Sequence, residues 1–231
     1  MLQFDVDFWF DRTTWSAYMA FALLTGLVLL LFLPSSQRIL DSLAAPPDLL
    51  LFPLLFIILY GILAMTLGQA EIHWTQHASW PSSITHLVAR QLFALALALP
   101  YWFIFLGAHS LSLLLSLVVL LHLCLYGFVL GCFGWRLGLT RRSEIFQFNL
   151  KYLIFATYLI GSFFLPGLSY LNPLWPLDRL LRESSGSGLI GLFIQSDLLW
   201  LATGFLLALW IHRSLERELA EKGRPHGVDI S

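Results

Sequence analysis

The residues of this chain that could do chemistry stand in a few short stretches of a mostly apolar sequence. His73 and His77 are four apart, which would put both on one helix face, the spacing of paired metal ligands, and Glu71 and His86 are near. Spacing fixes no third ligand, so the reading taken is interfacial histidines in a polar connection, with no metal and no cofactor bound by this chain. Asp197 follows Gln195 and Ser196 in the last apolar run. A carboxylate inside a bilayer is costly and often functional. Either it pairs with Arg179 or Arg182 across an outer gate, or it is the N-terminal residue of a helix that starts later, favoured there by the helix dipole. Ser187 and His212 have the residue types of a serine protease, but a continuous helix between them would hold them at opposite membrane faces. Cys124 and Cys132 lie in one apolar run, about 12 Å apart along a helix, too far for a disulfide. No residue is assigned covalent chemistry, and the chain is not read as an enzyme.

The elements that position these residues follow from composition. The chain is 58% hydrophobic and 12% charged, with a mean hydropathy of +0.77. A soluble fold of 231 residues cannot hide that much apolar surface, so the solvent is lipid. A net charge of −1 gives no nucleic-acid surface. The expected fold is all-α, one transmembrane domain over residues 1–231, with six spans at about 14–33, 48–68, 87–107, 111–134, 146–166 and 190–211. Pro34, Pro46, Pro47, Gly107 and Pro166 punctuate their ends. The N-terminal eleven residues carry three aspartates and no Lys or Arg, unlike a signal peptide. Gly127, Gly131, Gly134 and Gly138 form small-residue pairs four apart, which let helices approach closely within the bundle.

Orientation follows from the thirteen Lys and Arg residues. With the N-terminus inside, Arg12, Arg90, Arg136, Arg141, Arg142, Lys151, Arg213, Arg217, Lys222 and Arg224 lie on the cytoplasmic side, against Arg38, Arg179 and Arg182 outside. Both termini are therefore expected in the cytoplasm, with a helical tail over 212–222. Two connections are more than turns. Residues 69–83 mix His73, Trp74, His77 and Trp80 with polar groups and read as a short helix at the membrane surface. Residues 166–188 hold Leu-Asn-Pro-Leu-Trp-Pro and then an amphipathic stretch, and read as a broken, partly re-entrant pair of short helices.

Those connections carry a resemblance. Glu71, then Pro81-Ser82-Ser83, then Arg90 stand in the order of a coupling loop between spans two and three. Phe164-Leu165-Pro166, Asn172-Pro173-Leu174, Arg179 and Arg182 follow the pattern of a fifth span and an outer re-entrant segment, and the basic turn over 136–142 fits as well. In this order the chain resembles the membrane (permease) subunit of an ABC transporter of the type-2 exporter family (ABC-2 type). It departs from that pattern in its acidic N-terminus and in a loop with His and Trp where the family has Arg, Glu and Gly-Thr.

The resemblance implies a permease in the bacterial inner membrane that pairs with a second permease and exports a hydrophobic or amphipathic compound. It implies a separate cytoplasmic ATP-binding subunit that holds ATP and Mg, since this chain has no Gly-x-x-x-x-Gly-Lys-Ser/Thr loop. Glu71, Ile72, His73, Trp74, Thr75, Gln76, His77, Trp80 and Pro81 would couple to that ATPase. Phe164, Pro166, Asn172, Pro173, Arg179, Arg182 and Asp197 would form the outer gate. Tyr152, Phe155, Tyr158 and Phe163, in the aromatic fifth span, would line the path. Two rivals stand beside this reading: an intramembrane lipid-modifying enzyme, and a heme-handling assembly protein for which His73, His77, His86, His109 and His122 would be the clue.

Overall fold

Long apolar runs in lipid have one local way to satisfy every backbone N–H and C=O, the α-helix, and among the described residues every element is helical. The computed structural model describes residues 12–31, 51–75, 79–108, 113–140, 143–182 and 187–222. The helices are α1 (Arg12–Leu31), α2 (Leu51–Thr75), α3 (Trp80–Ala108), α4 (Leu113–Gly138) and α5 (Glu144–Phe164). A short 3-10 helix (Pro166–Leu171), α6 (Leu174–Arg182) and the 36-residue α7 (Ser187–Lys222) complete the chain.

Four helices contain stretches long and apolar enough to cross a membrane: Leu51–Ile72, Trp80–Phe105, Leu113–Gly138 and Gly188–Arg217. Their outward faces carry bare leucines, Leu92, Leu117, Leu121, Leu198 and Leu201 among them. Such a surface fits a lipid solvent and no aqueous one, and the chain is a helical multi-pass membrane protein. The other two expected spans have helices too, but their sequences differ. The apolar stretch in α1, Thr14–Leu30, is shorter than the other four, and α5 carries Glu144, Gln147, Asn149 and Lys151 in its first two turns.

Side-chain pairings fix how the helices run. Gly26 of α1 lies against Tyr101 of α3, and the Tyr18 ring meets Phe93, so α1 and α3 are parallel. Phe21 of α1 meets Phe56 and Tyr60 of α2, while Thr14 and Glu71 share Arg90, so α2 runs the other way. Residues 122, 126 and 136 of α4 meet residues 197, 200 and 210 of α7 in the same order, so these two are parallel. Lys151 and Phe155 of α5 meet Thr66 and Gly61 of α2 in reverse order. The six long helices thus alternate in direction along the chain. Arg12, Glu71, Arg90, Arg136 and Lys151 gather toward one end, and α6 sits toward the other.

The tightest seam joins α2 and α4, and glycines make it. A methyl group on Gly68 would meet the Gly131 carbonyl, and one on Gly134 would meet the Met65 carbonyl. Gly61 faces Tyr126, Gly127 faces Tyr60, and a methyl on Gly138 would lie 3.1 Å from the Gln69 carbonyl oxygen. Without side chains between them the backbones approach until dispersion is strong, which also lets the Tyr126 hydroxyl donate to the Ile57 carbonyl at 3.0 Å. Elsewhere on α2 an aromatic column, Phe52, Phe56, Trp102 and Phe105, fills the space between α2 and α3 with rings 4.6 to 6.3 Å apart.

The connection after α5 is held locally. Pro166 follows the extended Leu165 and cannot continue the helix. The Asn172 side chain then accepts from the Leu174 N–H at 2.9 Å and starts α6. In α6, Leu174, Leu177 and Leu180 share a face three apart and are buried in the main core, while Arg179 points outward.

Candidate functional site

Three places stand out among the described residues, two clusters of buried polar groups and one apolar cavity. The first is at the end where α1 starts and α2 stops. Glu71 of α2 is fully buried; its Oε1 accepts from an Arg90 guanidinium N–H at 3.0 Å, and its Oε2 lies 2.8 Å from His86 Nδ1. A second Arg90 N–H reaches Thr14 Oγ1 at 2.8 Å, and the Tyr18 hydroxyl donates to the Arg90 carbonyl at 3.3 Å. Gln91, on the next residue, donates to the Ala64 carbonyl at 3.2 Å. Arg90 therefore ties three helices together, bonded to Glu71 of α2 and Thr14 of α1 from its own place on α3. His86 and Arg90 are four apart on α3, so both point at the Glu71 carboxylate from one face.

The second place lies near the middle of the bundle. His122 of α4 is fully buried, and its Nδ1 stands 2.6 Å from Asp197 Oδ1 of α7. The imidazole edge meets Phe193 at 5.4 Å between centroids. Asp197 is ten residues into α7, about 15 Å from its start, so it is not the helix's N-terminal residue. Its described partner is His122, and of the two arginines expected there the side chain of Arg182 lies outside the described residues. Arg179 lies outside the core over the Trp175 ring at 5.2 Å, while His122 holds Asp197. The adjacent Ser196 hydroxyl donates to the Tyr170 carbonyl at 2.7 Å, which pins the 3-10 helix to α7.

The third place is an apolar cavity of about 290 Å³ between α2, α4, α5 and α7. Met65, Leu130, Phe155, Tyr158, Trp200 and Thr203 are among its walls. The Tyr158 hydroxyl closes one side by donating to the Leu171 carbonyl. Toward the opposite end, Lys151 on α5 is only 5% exposed; its ammonium donates to Thr66 Oγ1 at 3.2 Å and Gln69 Oε1 at 3.1 Å.

Against the expected sites, the structure separates several residues and joins others. Glu71, Ile72, His73, Trp74 and Thr75 form the last turns of α2, and Trp80 and Pro81 open α3, so no separate short helix stands between them among the described residues. Gln76 and His77 lie outside the described residues, as do the side chains of His73 and Trp74. Glu71 faces inward to Arg90 instead of outward to a partner, because a carboxylate in the bundle needs the cation beside it. Ile72 and Trp80 pack on a small cluster with Trp135 and Ile211, and the Trp80 ring stacks on His212 of the α7 tail at 5.2 Å. In the outer set, Asn172 and Pro173 are buried at the start of α6, Phe164 is exposed, and the side chains of Pro166 and Arg182 lie outside the described residues. Of the four path residues, Phe155 and Tyr158 line the cavity, Tyr152 packs on Phe148 at 4.6 Å, and the Phe163 side chain lies outside the described residues.

Sequence reasoning missed the His122–Asp197 pair and the burial of Lys151. Both had a signal: His122 is an isolated polar residue inside a run of Leu, Val and Cys, and Asp197 and Lys151 are charges inside otherwise mostly apolar helices. Among the described residues no three His, Cys, Asp or Glu gather as metal ligands. His86 and His122 are each held by a different carboxylate, and Ser187 and His212 stand 25 residues apart on the single helix α7, about 37 Å. No protein-family model matches the chain, and neither does any curated protein or any solved structure.

Proposed function

We propose that this chain is the permease subunit of an ABC transporter of the type-2 exporter class, working with a second permease and a separate ATP-binding subunit. The observation that carries the reading is the break between α5 and α7. Two short helices, Pro166–Leu171 and Leu174–Arg182, fold back onto the bundle there instead of a simple turn, pinned by Tyr158, Ser196 and Asn172. Five long helices, a broken outer pair and a last long helix is the element order that the resemblance implies. In this reading all six long helices cross the bacterial inner membrane with both termini in the cytoplasm, since Arg90, Arg136, Lys151, Arg213 and Arg217 lie toward one end.

The ATPase then docks at the α2–α3 turn and its flanks, 72–81, beneath the Glu71–Arg90 pair. That pair makes the ends of α1, α2 and α3 one unit, so a push on the turn moves three helices together. The cargo is hydrophobic or amphipathic, and the cavity bounded by Phe155 and Tyr158 lies on its route. Gentle extraction of the tagged chain tests this. Wild type is expected to bring down a subunit with a phosphate-binding loop, and the double variant Trp74→Ala, His77→Ala to bring down less than a third as much. Recovery of no ATPase from native membranes would sink the proposal.

A further inference from the structure

Among the described residues Lys151 is a buried cation with no carboxylate against it. Its ammonium donates to two neutral oxygens, Thr66 Oγ1 and Gln69 Oε1, and no carboxylate pairs with it among the described residues. Glu71 is occupied by Arg90 and His86, and Asp197 by His122. The rings of Phe148 and Tyr152, 5.8 and 5.1 Å from the ammonium, soften the burial without cancelling the charge. A lysine has three N–H donors, so one remains for a ligand. Buried charges in membranes face a partner or a pathway, because leaving them bare is costly.

The cavity's wall starts one turn of α5 beyond it, and Lys151, Thr66 and Gln69 are not themselves wall residues. Thr66 is bonded to Lys151 and is next in sequence to Met65, a wall residue; Ile154 and Phe155, also walls, follow Lys151 by one turn of α5. From there the apolar space runs toward Tyr158 and Trp200. The roughly 290 Å³ is about ten times the ~30 Å³ share of one water molecule in the liquid, room for one apolar tail. We propose that Lys151, Thr66 and Gln69 bind the anionic head, carboxylate or phosphate, of an amphiphile whose single apolar tail lies in the cavity between α2, α4, α5 and α7. A neutral chain fills the same space and leaves the ammonium unmet, and a cationic chain is repelled. That the ligand is cargo rests on the permease reading; that it binds does not.

The test uses the full chain in nanodiscs of neutral lipid, with dodecanoate, dodecyl phosphate and dodecyltrimethylammonium as probes, read by native mass spectrometry. One anionic probe per chain is expected, at least tenfold tighter than the cationic one. Lys151→Met is expected to lose at least tenfold for the anions, Lys151→Arg to stay within threefold, and Thr203→Phe to weaken every probe. Equal binding of anionic and cationic probes by wild type would overturn the site, whether or not the Met variant folds, and so would an unchanged affinity in a folded Lys151→Met. Adding an anionic phospholipid to the disc identifies the source. Displacement of dodecanoate means a bilayer lipid occupies the site, and retention means a free single-chain acid; either upholds it. Anion binding by a chain that recovers no ATPase keeps the site and removes the permease reading instead.

Discussion

Arg90 is among the largest side chains in the protein with almost no exposed surface, and it stays there because Glu71, Thr14 and its own helix's neighbours meet it. Removing one partner of a buried pair is worse than removing both, since the survivor keeps its desolvation penalty. Arg90→Met is expected to destabilise the purified chain by about 3–5 kcal/mol, read from thermal unfolding in detergent. The double variant Glu71→Gln, Arg90→Met is expected to recover more than half of that loss. An additive double variant would mean that Glu71 and Arg90 act separately. The pair at His122 follows the same rule with lower stakes. Asp197→Leu leaves a fully buried imidazole without its acceptor and is expected to cost about 1–3 kcal/mol, whereas Asp197→Asn keeps an oxygen in reach and is expected to cost less than half as much. Residue type was legible here and partnership was not. Asp197 stands out in the sequence as the one carboxylate of the last apolar run, after Gln195 and Ser196, but its partner is 75 residues away on another helix. Nothing in the local spacing distinguishes His122 from Arg179 as that partner; only the register of α4 against α7 does.

At the scale of elements, periodicity and punctuation were enough for the helices, because twenty apolar residues in lipid have one backbone solution. Ends were less legible. The 48–68 stretch continues to Thr75, since Glu71 is buried by the Arg90 on the neighbouring helix and does not end the span. The expected surface helix over 69–83 is thereby absorbed into the last turns of α2 and the first of α3 among the described residues. The glycine pairs of α4 announced a close approach, though not its partner, which the glycines of α2 supply. That seam has a sharp test. Gly68→Ala and Gly134→Ala each drive a methyl into a facing backbone carbonyl, and backbone cannot yield as a side-chain tip does. Each is expected to lower stability by at least about 1–3 kcal/mol, the cost of overpacking. Gly161→Ala in α5 meets nothing within 4 Å and is expected to be neutral or to gain about 0.5–1 kcal/mol from helix propensity. Equal melting temperatures for all three would mean that α2 and α4 do not pack backbone to backbone.

For the whole molecule, the alternation of the six long helices puts the α2–α3 turn and the start of α5 at one end, with the Leu165 corner and the start of α7 at the other. If all six cross, these two sets lie on opposite sides of the membrane, and the proposed orientation, with the basic side chains of the first set inside, puts that set in the cytoplasm. Four positions are exposed and suited to a label: Ser79 and Ser143 at the first end, Leu165 and Gly188 at the second. With Cys124 and Cys132 replaced by Ala, single cysteines at these sites are expected to divide cleanly in intact cells. Leu165→Cys and Gly188→Cys should react with a membrane-impermeant maleimide added outside, and Ser79→Cys and Ser143→Cys only after the cells are opened. Labelling of Ser143→Cys together with Leu165→Cys from outside would show that α5, with its Glu144 and Lys151, lies along the surface instead of crossing. The cavity would then lose the wall that α5 supplies in a transport path, and the anion site at Lys151 would open to the interface and not to the bundle. The same labelling experiment therefore decides the topology and whether a head group reaches Lys151 from within the membrane.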